Sequence, residues 1–186
     1  MSTRLFLTSL HTILASFFLP MGIMYAITGG LYGLDVKGGY DVVEHTLTLD
    51  KPLPVDLAGM VIIAQRELDA RNIALPTGSA GVRKIGSSFQ LEWSGSRRDI
   101  ELTPTNEPNI AMLKIKETDA HRFFVQLHKA KGAPAFKWFA AVWMVGLVLL
   151  FITGGVLAMA AKPFRKLAIP SAVLGVLSFV VLAWIS

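Results

Sequence analysis

Residues 127–155 read LHKAKGAPAFKWFAAVWMVGLVLLFITGG, and this stretch decides how the chain is organised. It begins with a histidine among lysines and continues as a long apolar segment that ends in TGG. Because about 20 apolar residues suffice to cross a bilayer core, the apolar part predicts a transmembrane helix over 135–161. His128 therefore lies at the junction between a polar domain and a membrane anchor.

Charge is distributed unevenly along the 186 residues, of which 53% are hydrophobic. All 13 acidic residues lie between Asp35 and Asp119, and apolar blocks flank this polar block. The pattern indicates a membrane protein with one extramembranous domain. The net charge of +5 does not point to nucleic acid, because residues 33–137 carry 14 Lys and Arg beside all 13 acidic residues. The chain has no cysteine, which excludes disulfides, thiolate metal sites and cysteine nucleophiles.

Two further apolar segments are long enough to span a membrane. Residues 5–32 form the first span, and their length and internal His and Pro argue against a cleaved signal peptide. Residues 167–185 form the third span, with Pro170 in its first turn. The short basic loop at 162–166 belongs in the cytoplasm. This orientation predicts a cytoplasmic N-terminus, with the middle domain and the C-terminus on the outer side, which for a bacterial inner membrane is the periplasm.

The segment 33–118 predicts a small α+β domain outside the membrane. Apolar residues at helical spacing predict an amphipathic helix over 56–72. Period-two alternation and turn residues predict strands over 42–49, 81–86, 88–94, 98–103 and 109–117. One helix on an antiparallel sheet follows. Residues 119–134 then form a juxtamembrane helix and a turn, in which Gly132 and Pro134 break the chain.

A short repeat links the first two spans. Residues 27–30 and 152–155 both read ITGG, and a histidine precedes each, His11 and His128. Because the two helices cross in opposite directions, His11 lies toward the cytoplasmic side and His128 toward the outer side. Small residues let another helix or a flat cofactor approach the backbone closely. On the pattern alone, a chance match between two helix-packing Gly-Gly pairs explains the repeat equally well.

These two histidines are the best candidate ligands in the chain. His11 lies about two turns inside the membrane, where ionisable side chains are functional candidates by default. A bond to a hydroxyl or a carbonyl would also explain it. His128 is either an interfacial histidine in water or a haem ligand whose neighbours Lys129, Lys131 and Lys137 meet the propionates.

The remaining histidines are weaker candidates. His121 precedes His128 by seven residues, about 10 Å along a helix, so both cannot bind one iron without a break. We treat His121 either as solvated or as a neighbour that supports the site without binding the iron. His45 lies in a predicted strand, where a role in the fold alone is the simplest interpretation. His11 and His128 lie near opposite sides of the bilayer and cannot share an iron either. If the cofactor is haem b with two histidine ligands, a two-fold homodimer must supply the second ligand at each level.

The order of these features resembles the PepSY-associated transmembrane proteins, which include membrane ferric-siderophore reductases. The matching residues are His11, Thr28-Gly29, Leu127-His128, Gly132 and Thr153-Gly154. The middle domain, with PLPVD at 52–56 before its helix, looks like a PepSY domain. The likeness extends to about residue 160 of the 186, and the chain looks like one half of a longer member. A half-size member strengthens the expectation of a homodimer.

The resemblance implies haem b and electron transfer to ferric iron or a ferric siderophore on the outer side. Electrons would enter from membrane quinol or a cytosolic reductase and pass from the His11 level to the His128 level. Both histidines would be axial ligands, and Lys129, Lys131 and Arg122 would meet propionates or substrate. The sequence identifies no catalytic residue and no flavin or nicotinamide motif.

A non-enzymatic function is the alternative. The outer domain would bind or regulate a partner protein, or assist siderophore or metal uptake, and the helices would anchor it. Two basic pairs, Arg83-Lys84 and Arg97-Arg98, could face an anionic ligand, although a solvated surface explains them more simply. A solvated strand face is likewise the simplest interpretation of Asp99 and Glu101.

Overall fold

The computed structural model describes residues 2–86 and 88–186. Along this part of the chain the elements are α1 (Thr3–Gly33), β1 (Tyr40–Thr48), α2 (Leu57–Ala70), β2 (Ala80–Ile85), β3 (Ser88–Ser94), β4 (Arg98–Pro104), β5 (Ile110–Thr118), α3 (Ala120–His128), α4 (Pro134–Ala160) and α5 (Lys162–Ile185). The chain divides into two compact units. One contains the residues up to Gly22 with Ala141–Ser186, and the other is Ile23–Ala140.

The helices α1, α4 and α5 are each long and apolar enough to cross a membrane. The shortest, α5, has 24 residues and is therefore about 36 Å long, against a bilayer core of about 30 Å. No side chain of α5 is buried, although the helix consists largely of Leu, Val, Ile, Ala and Phe. Three such helices indicate a membrane-embedded protein.

The basic segment 162–166 is helical, and the prediction of a loop there is wrong. The backbone departs from helical geometry at Ala161, with φ −97° and ψ 109°, and α5 starts at the next residue. Pro163 explains this start, because its ring fixes φ near the helical value and its missing N–H costs nothing in a first turn. Pro170, expected in the first turn, consequently lies inside α5, where it removes one helical hydrogen bond.

The predicted antiparallel sheet with one helix over it is confirmed. The strand order is β1-β5-β4-β3-β2, and every neighbouring pair is antiparallel. The strands β1 and β2 therefore form the two edges. Asp56 caps α2 by accepting a hydrogen bond from the backbone N–H of Gly59 at 2.7 Å. A side-chain acceptor at this position satisfies a donor that the helix itself leaves unpaired.

The core of the domain lies between α2 and one face of the sheet. The helix contributes residues at a spacing of four, Met60, Ala64 and Leu68, which are fully buried. The sheet contributes alternate residues of its central strands, Leu91, Ile100, Leu102, Ala111, Leu113 and Ile115. Burying one such large side chain stabilises a fold by about 1.5–3 kcal/mol, so this face fixes the strand register.

Within the unit formed by the chain ends, α1 and α4 approach each other closely. Phe18 of α1 is buried, and Gly146 of α4 is buried beside it. A Cβ added to Gly146 would overlap the Phe18 ring. A glycine is therefore required here for the two helices to pack this closely.

We expect Gly146→Val to lower the stability of this helix pair by about 1–3 kcal/mol, the usual cost of overpacking. Gly175→Val on α5 is the matched control, because nothing lies within 4 Å of a Cβ added there. Thermal unfolding of the purified protein in detergent measures both variants. An equal fall of the unfolding temperature in the two variants would show that the contact between Gly146 and Phe18 does not limit the packing of these helices.

Candidate functional site

The two predicted ligand histidines each contact the threonine of an ITGG segment. In one unit, Nδ1 of His11 lies 2.9 Å from Oγ1 of Thr153. In the other, Nδ1 of His128 lies 2.7 Å from Oγ1 of Thr28. His11 thus contacts the ITGG segment of α4, and His128 contacts the ITGG segment of α1. The sequence had associated each histidine with the ITGG segment that follows it. The threonines of both copies of the repeat therefore make the same kind of contact with a histidine. This shared geometry argues against a chance match.

The threonine hydroxyls determine which nitrogen of each imidazole carries the proton. Thr28 Oγ1 donates to the carbonyl of Met24 at 2.6 Å. Thr153 Oγ1 donates to the carbonyl of Leu149 at 2.8 Å. A hydroxyl has one proton, so each oxygen accepts from the imidazole, and Nδ1 is the donor. In the neutral ring Nε2 then carries the lone pair, and neither Nε2 has a hydrogen-bond partner among the described residues.

The glycine after each threonine gives the imidazole room. A Cβ at Gly29 would lie 3.1 Å from Cε1 of His128. A Cβ at Gly154 would lie 3.2 Å from Cε1 of His11. Both distances are shorter than a normal van der Waals contact, so a side chain at either glycine would push the ring away from its threonine. The Thr-Gly pair therefore supplies an acceptor and a space for one ring edge.

Both threonines are removed from solvent, with Thr28 3% and Thr153 5% exposed. A hydrogen bond in such surroundings is costly to leave unmade, by about 1–3 kcal/mol for an unsatisfied neutral group. The histidine–threonine bonds therefore hold the rings firmly, and they satisfy polar atoms that lie on apolar helices.

A cavity of about 320 Å³ adjoins His128. Its lining comes from α1 and α3 and includes Thr28, Gly29, Tyr32, Val125 and Lys129. The Tyr25 ring lies 4.5 Å from the imidazole of His128, centroid to centroid. The ammonium of Lys129 lies 5.7 Å over the Tyr32 ring. The cavity thus combines one oriented imidazole, aromatic surface and one cation.

Lys131 and Arg122, expected beside the same ligand, lie elsewhere in the domain. Lys131 Nζ is 3.2 Å from Ser94 Oγ and 3.7 Å from a carboxylate oxygen of Asp99. The Arg122 guanidinium lies 4.6 Å over the Tyr40 ring and donates to a backbone carbonyl. Both cations thus have partners outside the His128 cavity, although Nε of Arg122 is buried without a hydrogen-bond partner among the described residues. Lys129 is the one predicted cation that lines this cavity.

The other two histidines lie apart from these pairs. His121 Nε2 is 3.1 Å from the backbone carbonyl of Val36. His45 lies on β1 opposite Leu113 of β5. Among the described residues, no three His, Asp or Glu side chains cluster in a way that could hold a metal ion.

A buried polar cluster of Tyr40, Asp99 and Gln126 attaches α3 to the sheet. Gln126 is fully buried and donates to the Tyr40 hydroxyl and to Asp99, both at 2.9 Å. The Tyr40 hydroxyl donates to the same carboxylate at 2.7 Å. The expectation of a solvated Asp99 is wrong, because Asp99 is only 9% exposed. Its side chain alternates with core residue Ile100, so it lies on the sheet face that α3 covers.

The Tyr40 hydroxyl of this cluster keeps its proton well above neutral pH. Burial and the hydrogen bond to Asp99 raise the pKa of Tyr40 to about 12. Tyr40 therefore remains a donor at neutral pH. Since Gln126 is two residues before His128, the cluster fixes the end of α3 that presents the candidate ligand.

Asp119 fixes the other end of α3. Its carboxylate accepts from the backbone N–H groups of Arg122 and Gly39, each at 2.6 Å. These two bonds lower the pKa of Asp119 below its usual value of 3.8. A depressed pKa means that the carboxylate stabilises the fold above about pH 4 and loses that effect as the pH falls through the folded-state pKa.

We expect Asp119→Ala to lower the thermal unfolding temperature at pH 7, because α3 loses its N-cap. The difference from wild type should shrink as the pH falls below 3.8, where the wild-type carboxylate becomes protonated. Asp50→Ala, which removes an exposed carboxylate outside the helices and strands, is the control. A difference that does not depend on pH would contradict the capping role.

No protein-family model, curated protein or solved structure matches the chain. The resemblance to the PepSY-associated transmembrane proteins therefore stays a prediction. Conclusions about function depend on the geometry of the two histidine–threonine pairs and on the three membrane-sized helices.

Proposed function

We propose that the chain is a haem b-containing protein of a bacterial inner membrane that transfers electrons to ferric iron or ferric chelates on the outer side. The observation that carries this proposal is the pair of histidines whose Nδ1–H is held by a buried threonine. The three apolar helices support the membrane location. The outer domain is, on this proposal, PepSY-like, and the electron donor is membrane quinol or a cytosolic reductase.

The two histidines fit the requirements of axial haem ligands. Because the porphyrin supplies four nitrogens, the protein needs to add only one or two axial groups, and a neutral imidazole with a free Nε2 is a common one. Ligating histidines almost always donate their other ring N–H to a fixed acceptor, which orients the ring and raises its basicity. Thr28 and Thr153 are such acceptors.

A bound haem would supply reversible one-electron chemistry. The residues of the chain itself perform the holding and orienting. Thr28 and Thr153 fix the tautomer, and Gly29 and Gly154 leave space at the ring edge. Lys129, which lines the His128 cavity, offers a cation for a propionate.

The proposal includes a homodimer. Each of the two compact units contains one histidine–threonine pair, so one chain offers one oriented imidazole per unit. An iron with two histidine ligands needs a second imidazole. A two-fold axis brings the same residue from two chains together, so a second copy of the chain would supply it.

The purified wild-type protein should be red, with a Soret band and a b-type spectrum on reduction. We expect His11→Ala and His128→Ala each to lose about half of the bound haem and the double variant to lose all of it, because each histidine serves one site. His121→Ala and His45→Ala are the controls and should keep the full spectrum. A haem-to-chain ratio measured from the pyridine haemochrome checks this. A wild-type protein without any Soret band would overturn the proposal.

The threonine contact can be tested separately from the ligand. Thr28→Val keeps the shape of the side chain but removes the acceptor, whereas Thr28→Ser keeps the hydroxyl. We expect Thr28→Val to weaken haem binding about 10–100-fold and to raise the reduction potential of one haem, because the imidazole becomes a weaker donor. Haem titration and potentiometry measure both effects. The same behaviour in the Ser and Val variants would show that the hydrogen bond does not tune the site.

A further inference from the structure

A second cavity, of about 360 Å³, opens in the domain between the start of β2 and the segment that follows α3. It shares no lining residue with the cavity beside His128. Its ionisable lining residues are Arg83, Glu92, Lys131 and Lys137. Three cations and one carboxylate give it a formal charge of +2, so its charge favours an anion.

Of the three cations, one is held by partners within the domain, and the other two are free to contact a ligand. Lys131 is fixed by Ser94 at 3.2 Å and by Asp99 at 3.7 Å. Arg83 is 3.3 Å from Glu92, in an exposed pair that also involves Gln90. Lys137 has no ion pair with any described residue. Exposed pairs contribute little, so an anionic ligand can replace the Arg83–Glu92 contact at small cost.

The backbone around the cavity is also accessible. The strand β2 is an edge strand, so one side of its backbone has no strand partner. Gly81, which lines the cavity, has no atom within 4 Å of the position that a Cβ would occupy. Space and unpaired backbone groups therefore lie beside the cations, as an oxygen-rich ligand requires.

The cavity lies next to His128 along the chain. Ala130 and Lys131 line it, whereas His128 and Lys129 line the other cavity. Successive Cα atoms are 3.8 Å apart, so the Cα atoms of His128 and Ala130 are separated by at most about 7.6 Å. The two cavities are therefore lined by neighbouring positions of one short stretch of chain, residues 128–131.

We propose that this cavity binds an anionic ferric chelate through its oxygen donors, with Arg83, Lys131 and Lys137 as the recognising cations. The inference rests on the proposed function, because it assigns the place where that function meets its substrate. It adds a selectivity, since an excess of positive charge favours anionic chelates over neutral ones. A site built in this way has no need to recognise the whole chelate, only its charged oxygen-bearing face.

Isothermal titration of the full chain in detergent with gallium(III) citrate tests this proposal, because gallium mimics ferric iron and cannot be reduced under these conditions. We expect Arg83→Gln and Lys137→Gln each to weaken binding by about three- to tenfold, the loss that corresponds to the net contribution of one ordinary hydrogen bond. Lys84→Gln is the matched control. Lys84 follows Arg83 on β2, its side chain lies on the other face of the strand, and it does not line the cavity. A neutral gallium trishydroxamate should bind more weakly than gallium citrate.

Several outcomes would overturn the assignment of the cavity. These are no binding of gallium citrate, equal affinity in all variants, an equal loss in Lys84→Gln, or equally tight binding of inorganic phosphate. The haem spectrum of the same samples separates the two proposals. Haem-replete protein with one of these outcomes overturns the cavity assignment alone, whereas haem-free protein overturns the proposed function, and with it the role of the chelate as substrate.

Discussion

The hydrogen bond from imidazole Nδ1 to a threonine hydroxyl is the interaction on which the candidate site depends. In each pair the threonine hydroxyl donates its single proton to the carbonyl four residues earlier. The hydroxyl oxygen must therefore accept from the histidine, and imidazole Nδ1 must be the donor. The bond therefore satisfies a buried polar atom, fixes the ring and leaves Nε2 as the lone-pair nitrogen. Without it, neither imidazole would have a hydrogen bond that holds it in one orientation.

The α+β domain contributes to the candidate site by holding α3, which ends in His128. The core between α2 and the sheet supplies most of the burial, but it lies on the sheet face away from Asp99. The other face holds α3 through a polar cluster, and such a cluster is costly unless its members are paired. Gln126 uses both N–H bonds in the cluster, and Oε1 of the same side chain has no partner among the described residues. Polar contacts of this kind specify one orientation of a helix more strongly than apolar packing does.

The elements of the fold were predictable because they depend on local periodicity. Alternation identified the strands, apolar residues at helical spacing identified α2, and Asp56 marked its start. The pairing of each histidine with the opposite ITGG segment was not predictable, because it joins residues 100 and 142 positions apart. The burial of Asp99 was missed for a related reason. Alternation shows only that Asp99 faces away from the core, and it cannot show that α3 covers that face.

The choice of threonine as the acceptor follows from the membrane environment. A carboxylate would orient an imidazole more strongly, but the first 34 and the last 67 residues contain no acidic side chain. A charge at the centre of a bilayer costs about 2.5–3.5 kcal/mol on insertion scales, whereas a hydroxyl that bonds to its own helix adds no charge. The β-branched methyl of threonine also packs with apolar neighbours, and the hydroxyl remains available as an acceptor. The Thr-Gly pair is therefore a neutral way to orient a histidine inside a membrane, and its cost is a weaker effect on the basicity of the ring.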